Sequence, residues 1–305
     1  MTPLNQRPPP PPVKREPLKR LDIFIIAVVL ALLGWLIYRT NVALAYHWNW
    51  SAVWQFVLRF DEDTQGYVPN LLLEGLMMTL RLAFWGTILA AIIGIVMGLC
   101  RVSTRLFFRV ISRSYVELIR NIPPIVFIFV FYFFISSQLM PLLGIREMLD
   151  GLSPESKEWV EFWFAPLPLF ENFMAGLLCL AMLESAYITE LVRAGIHSID
   201  RGQWEAARAV GFSPFNVMRE VIMPQAIRRI LPPLANQFIT LVKDSTMVSL
   251  ISIQELVFTA KEVGNTTGRI FETWITIAIL YFVVCYSLAL LFGRFEKKMA
   301  AAHNK

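Results

Sequence analysis

The chain has 305 residues, 56% of them hydrophobic and only 17% charged, with a mean hydropathy of +0.55. A water-soluble domain carries nearer a quarter charged residues, so the composition argues against an ordinary globular enzyme and for apolar surroundings. The net charge of +5 does not signal nucleic acid, because the basic residues fall in short clusters between apolar runs, as in the loops of membrane proteins.

The first 20 residues hold the prolines Pro8 to Pro12 and then Lys14, Arg15, Lys19 and Arg20, an extended, solvated tail with a cationic flank. Leu21 to Tyr38 is just long enough to span. Ala43-Leu44-Ala45 resembles a signal-peptidase site, but the apolar core exceeds a secretory signal's, so a retained anchor is expected. Residues 47–69, with Trp48, Trp50 and Trp54 and the acids Asp61, Glu62 and Asp63, read as an external loop.

A second span runs from Leu71 to Leu99. Gly86, Ala90, Gly94 and Gly98 recur every fourth residue along it and predict a flat stripe for close helix packing. Arg101, Arg105, Arg109 and Arg113 then form a helical cytoplasmic connection. Residues 121–145 carry no charge and give a third span; the acidic stretch 146–169 lies outside; a fourth span covers Phe170 to Leu191. Residues 192–229 are basic, 230–254 form a fifth span broken by Lys243-Asp244, and Thr273 to Gly293 is a sixth. About 20 residues at ~1.5 Å each cross the hydrocarbon. Placing the arginine-rich loops inside puts both termini in the cytoplasm.

The loop 199–224 is ordered by its own chemistry. Gly211 suits the left-handed end of a first short helix, Ser213 a cap for a second, and Pro214 that helix's first position. Pro224 marks the boundary with the next helical stretch. Ala206 and Ala207 keep one face thin enough to enter another protein's groove, and Glu205 supplies a charge for register.

Glu205-Ala206-Ala207, then Gly211, then Val221-Ile222-Met223-Pro224 at this spacing resembles the signature loop of type I ABC-importer permeases. Met223 stands where leucine is commoner. Tyr115 through Pro124, Ala186-Tyr187 through Glu190, Arg193 to Ile196 and Leu241 through Thr246 are similar to the polar-amino-acid branch of that family, with Pro124 where an aliphatic residue is usual. The resemblance implies an all-α polytopic fold. A five-helix type-1 permease core over 70–295 is preceded by the tail 1–20 and an extra N-terminal helix with its loop (21–69), and is followed by a cytoplasmic tail (296–305). It implies that Glu205 to about Arg219 couples the chain to an ABC ATP-binding subunit, present in two copies. It further implies a second permease or a copy of this one, an external solute-binding protein, a bacterial inner-membrane location, and ATP-Mg held by the partner.

The chain has no Gly-x-x-x-x-Gly-Lys-Ser/Thr loop and no nucleophile–base arrangement, and Cys100, Cys179, Cys285 and the histidines 47, 197 and 303 lack metal spacing. No catalytic residue, metal or resident cofactor is expected. Charges inside a span face a pathway or a partner. Glu184, flanked by Ser185 and Tyr187, is a pathway candidate that could equally bind an arginine of another subunit or stay protonated. Lys243 and Asp244, ahead of Ser245, either meet the two ends of a zwitterion or pair with each other. Glu117 and Arg120 read as a helix-surface pair. The rival function is a carrier driven by an ion gradient, with Glu184 and Glu190 as relays.

Overall fold

The computed structural model describes residues 19–44, 46–63 and 65–303. Most of the proline-rich tail, and Ala45 of the signal-peptidase-like triplet, lie outside them. The chain divides into two compact units, 1–48 and 49–305. In the first, helix α1 (Arg20–Leu44) contains an apolar stretch, Arg20–Arg39, long enough to cross a bilayer.

The second unit opens with a short helix, α2 (Ser51–Trp54), and a two-stranded antiparallel hairpin, β1 (Leu58–Asp61) on β2 (Gly66–Pro69). The expected external loop is therefore a folded cap. Val53 and Val57 are buried with Leu72, Leu256 and Ile277, and the Asn49 N–H donates to the buried Glu272 at 2.8 Å.

Helix α3 (Leu71–Val102) begins at Asn70, whose side chain caps the Leu71 N–H. Its predicted small-residue stripe is present: Gly86, Ala90, Gly94 and Gly98 are all buried. The stripe meets helix α9 (Phe170–His197). A Cβ added at Gly94 would stand 2.6 Å from Ile188, and one at Gly98 would stand 2.5 Å from Val192. Helix α9 is the axis of the bundle, with 72% of its apolar window buried against 33% for α3.

The basic stretch is helical as expected from residue 106 on, in helix α4 (Leu106–Asn121). Only 103–105 are non-helical, and α4 then turns back along α3, with Ser112 Oγ donating to the Met97 carbonyl at 2.7 Å. The Tyr115 hydroxyl reaches Ser185 Oγ, near the midpoint of α9, at 2.6 Å. Of the four arginines, Arg101 lies in the last turn of α3 and Arg105 in the bend; Arg109 and Arg113 share one exposed face of the amphipathic α4. At Ile122-Pro123 the backbone extends, because the residue before a proline is pushed out of the helical region. The uncharged helix then follows as α5 (Pro124–Val130), a π-helical stretch (Phe131–Ser136) and α6 (Ser137–Leu142). By length and composition the third span covers Pro124–Leu142, within the expected 121–145, and α4 precedes it packed on α3 and α9.

Short helices α7 (Ile145–Asp150) and α8 (Pro154–Trp163) lead into α9. After α9 come α10 (Arg201–Ala209), α11 (Pro214–Asn216), a π-helical stretch (Val217–Ile222) and α12 (Met223–Asp244). The last three run without interruption. The second short helix and the fifth span are therefore one rod over 214–244, and Pro224 does not end it. A wider π turn just before Pro224 lets a residue with no N–H sit within a helix. Among the described residues, α12 is not apolar enough to be counted as a span by composition. Its place against α3, α9 and α14 (Ile270–His303) puts it inside the bundle instead.

Beyond Asp244 the chain tightens into a 3-10 helix (Ser245–Ile251) and reverses at Ser252, whose φ is +61°. Helix α13 (Leu256–Thr267) is capped by the fully buried Glu255, which accepts from the Phe258 N–H at 2.9 Å and the Tyr281 hydroxyl at 3.0 Å. This clamp between α13 and α14 was missed in the sequence, where Glu255 looks like an ordinary loop acid.

Two outcomes test this packing. Gly98→Leu forces atoms into Val192 and is expected to destabilise the folded protein by about 1–3 kcal/mol, read as a lower unfolding midpoint in detergent; Gly293→Ala, with nothing within 4 Å of its Cβ, should match the parent. Tyr281→Phe leaves Glu255 one donor short and should cost about 1 kcal/mol in the same assay; an unchanged midpoint would mean the clamp bears no load.

Candidate functional site

Two features stand out. The first is the exposed helix–turn–helix that joins α9 to α12. Asp200 caps α10 by accepting from the Gly202 N–H at 2.6 Å. Gly211 ends that helix with φ +92°. The Phe212 N–H bonds the Ala207 carbonyl at 3.2 Å and the Gly211 N–H bonds the Arg208 carbonyl at 2.9 Å, the paired closure that a left-handed glycine permits. Ser213 then caps α11, accepting from the Asn216 N–H at 3.3 Å, with Pro214 in the first position.

The outer surface of this turn presents Glu205, Ala206, Val210, Phe212 and Phe215, all exposed. Ala207 does not share that face; it turns inward onto Val217 and Ile222. Only one of the two alanines thins the outer surface, while the other lets α10 lie close on the π stretch. Pro224 and Arg219 are exposed, the latter paired with Glu220 at 3.3 Å. The turn is tied down on its inner side. Arg229 donates to the Ser198 carbonyl at the end of α9, and Gln225 donates to Gln203 at 3.2 Å.

The second feature lies midway along α9. The Glu184 side chain is 2% exposed, accepts a hydrogen bond from Gln237 of α12, and interacts directly with the carboxyl of Asp244. Two carboxyl groups and an amide thus meet where the hydrocarbon would be thickest. Such a cluster is costly to bury and persists where it has a polar partner to receive.

The remaining predicted pathway residues separate. Lys243 and Asp244 do not pair with each other, because neighbours on a helix point apart. Asp244 faces Glu184, whereas Lys243 is exposed and lies within electrostatic range of Cys285 on α14. Ser245 is buried and bonded to its own helix at Val242. Ser185 is taken up by Tyr115 and the Met182 carbonyl. Tyr187 is exposed beneath Arg120 of α4, whose guanidinium carbon sits 5.3 Å above the ring. Glu117 pairs with Arg113 at 2.6 Å, not with Arg120. Gln237 was missed, since an amide in a helix carries no signal until its partner is known. Among the described residues no group of histidine, cysteine or carboxylate side chains could hold a metal.

Comparison with known proteins bears on both features. Residues 90–301 match the family described as binding-protein-dependent transport system inner membrane component. The probable glutamine ABC transporter permease protein GlnM of Bacillus subtilis (strain 168) is 33% identical over 228 residues, 72% of this chain and 93% of that protein. The arginine transport system permease protein ArtQ of the same organism is 30% identical over 239 residues, 78% of this chain and 97% of that protein. A solved structure described as an amino acid ABC transporter with histidines holds a chain 34% identical to this one. It superposes with a TM-score of 0.60 over 75% of this chain and 94% of its own. The family match takes in the stripe from Ala90 on, the central carboxyls and the capped turn together, and the chain belongs to the binding-protein-dependent inner membrane components: it is a permease subunit of an ABC transport system.

Proposed function

We propose that this permease forms half of a pore that imports a polar amino acid, driven by two ATP-binding subunits that grip its 199–224 turn. The observation that carries the reading is the uninterrupted rod over 214–244. At one end it begins at the exposed Gly211–Ser213 turn, and at the other it delivers Asp244 to Glu184. At ~1.5 Å per residue the rod is about 45 Å long, and it stays helical through Pro232 and Pro233, so movement at the turn is passed along one continuous helix to the carboxyl pair.

The turn offers what a docking element needs. Val210, Phe212 and Phe215 supply apolar anchors, Glu205 a charge for register, and the Arg229 and Gln225 bonds a rigid mount. In this reading ATP-Mg stays on the partner chains, and their closure draws the two turns of the pore together. The central cavity then opens to an external solute-binding protein. The second half of the pore is another permease or a copy of this one. The turn faces the cytoplasm, as do both chain termini, and α1 stays as an anchor.

At the carboxyl pair an ammonium group finds two acceptors and a neighbouring amide, which fits a zwitterion with a cationic or amide-bearing side chain. The names of the relatives, glutamine and arginine permeases, agree with that chemistry.

The test is uptake of glutamine and arginine into proteoliposomes holding the complete complex. Gly211→Pro, which forbids positive φ, and Glu205→Lys, which inverts the register charge, should insert normally yet lose ATP-dependent uptake. Uptake at the parent rate by both variants would remove the coupling role, and uptake driven by a pH gradient without any ATPase would replace it with a gradient-driven carrier.

A further inference from the structure

Helix α4 presents three distinct strips. Ser112, Val116 and Ile119 are buried on the bundle. On one side of them Phe107, Phe108, Ile111 and Leu118 are exposed. On the other side stand Arg109, Arg113, Glu117 and Arg120. An apolar strip and a charged strip flanking one buried line mean that the two sides of α4 meet different surroundings, since charge persists at bundle depth only beside water or a partner.

The charged strip meets α9 at Tyr187. Glu184, Tyr187, Glu190 and Arg193 follow as a file of polar residues at three-residue intervals, which winds about 60° per step around α9. Arg120 covers Tyr187 at 5.3 Å. Glu190 is bridged by Arg193 at 2.7 Å and by Arg101 of α3 at 3.3 Å. A cleft of about 350 Å³ opens between Arg101, Arg109, Arg113 and Glu117, and Arg101 Nη1 is buried there without a hydrogen-bond partner. Positive charge exceeds negative along the groove.

Arg120 is singular in this file. The other cations each have a carboxylate partner or line the open cleft, whereas among the described residues Arg120 has only the ring of Tyr187. A guanidinium held over an aromatic face by cation–π attraction spends none of its N–H groups on that contact and can still receive a carboxylate in two parallel bonds. Its support, Tyr187, lies one turn of α9 from Glu184, about 5 Å along the axis. We infer that the polar face of α4, with Tyr187 and Glu190 of α9, lines the half of the translocation path beyond the carboxyl pair, and that Arg120 binds the substrate's carboxylate there. This rests on the importer reading above and adds to it the residue for the opposite end of the zwitterion.

The experiment uses the complete complex in proteoliposomes with glutamine and arginine as probes. Arg120→Gln keeps length and polarity but loses the charge, and should lower uptake of both by about tenfold or more, the loss of one charged hydrogen-bonded contact, while the complex still assembles with its ATPase. Arg120→Lys restores the charge without the flat fork and should recover part of the loss; Arg120→Glu should fall below Arg120→Gln. Uptake by Arg120→Gln at the parent rate overturns the inference and leaves the importer reading standing. So does a loss that Arg120→Lys leaves unrepaired, which would make Arg120 a structural stack on Tyr187. Absence of ATP-dependent uptake of either probe by the parent complex would instead sink the importer reading itself.

Discussion

The bundle depends on one close approach, where α3 and α9 meet at Gly94 and Gly98 with no space for a Cβ. Ile188 and Val192 of α9 occupy the volume that any larger residue would take. Because membrane helices gain little from burying apolar surface against each other, such fitted contact is a main source of their cohesion. It holds α9 as the axis, and the axial position is what buries Glu184. With α3 fixed on one side, α4 and α12 pack along the remaining flanks of α9. Polar side chains of both then reach the middle of α9, Gln237 at Glu184, Tyr115 at Ser185 and Arg120 at Tyr187.

The two ends of α12 are built differently. At its start the π stretch takes in Pro224 without a break, so the capped turn and the helix remain one body. At its finish the helix tightens to a 3-10 turn and reverses at Ser252. Between them the helix runs unbroken from the exposed turn to Asp244, with Pro232 and Pro233 removing two of its internal hydrogen bonds. The tie from Arg229 to the Ser198 carbonyl adds α9 to that body. Glu184 and Asp244 therefore sit on two helices joined near the turn.

Much of this was legible in the sequence because it rests on local chemistry. The glycine stripe, the left-handed Gly211, the Ser213 cap and the Pro214 start are each dictated by one residue's conformational preference, and each is present. What stayed hidden depends on partners distant in sequence. Arg101, Arg105, Arg109 and Arg113 read as one helical connection because their even spacing does not show the bend at 103–105 that separates α3 from α4. Glu117 was matched to Arg120 by spacing, whereas Arg113 lies four residues back and takes it. The hairpin over 58–69 has no strong alternation, and its strands exist because Val53 and Val57 find a place beside Leu256 and Ile277. Gln237 and Glu255 acquire meaning only from the side chains that α9 and α14 bring to them.

The break at Ile122-Pro123-Pro124 follows from the same division. Before it, the chain carries four arginines and a glutamate from Arg105 to Arg120; after it, to Ile145, it carries no charge at all. A continuous helix would run its charged strip straight into the uncharged half on one face. Two prolines remove two N–H donors and redirect the chain, so that the charged strip stops level with Tyr187, one turn from Glu184. The change from charged to uncharged helix thus falls within one turn of α9 of the buried carboxyl pair. On the inferred path, a dipolar solute would exchange a site with two carboxyl groups for one rich in guanidinium. That change of chemistry would turn the solute's carboxylate toward Arg120 as it leaves Glu184.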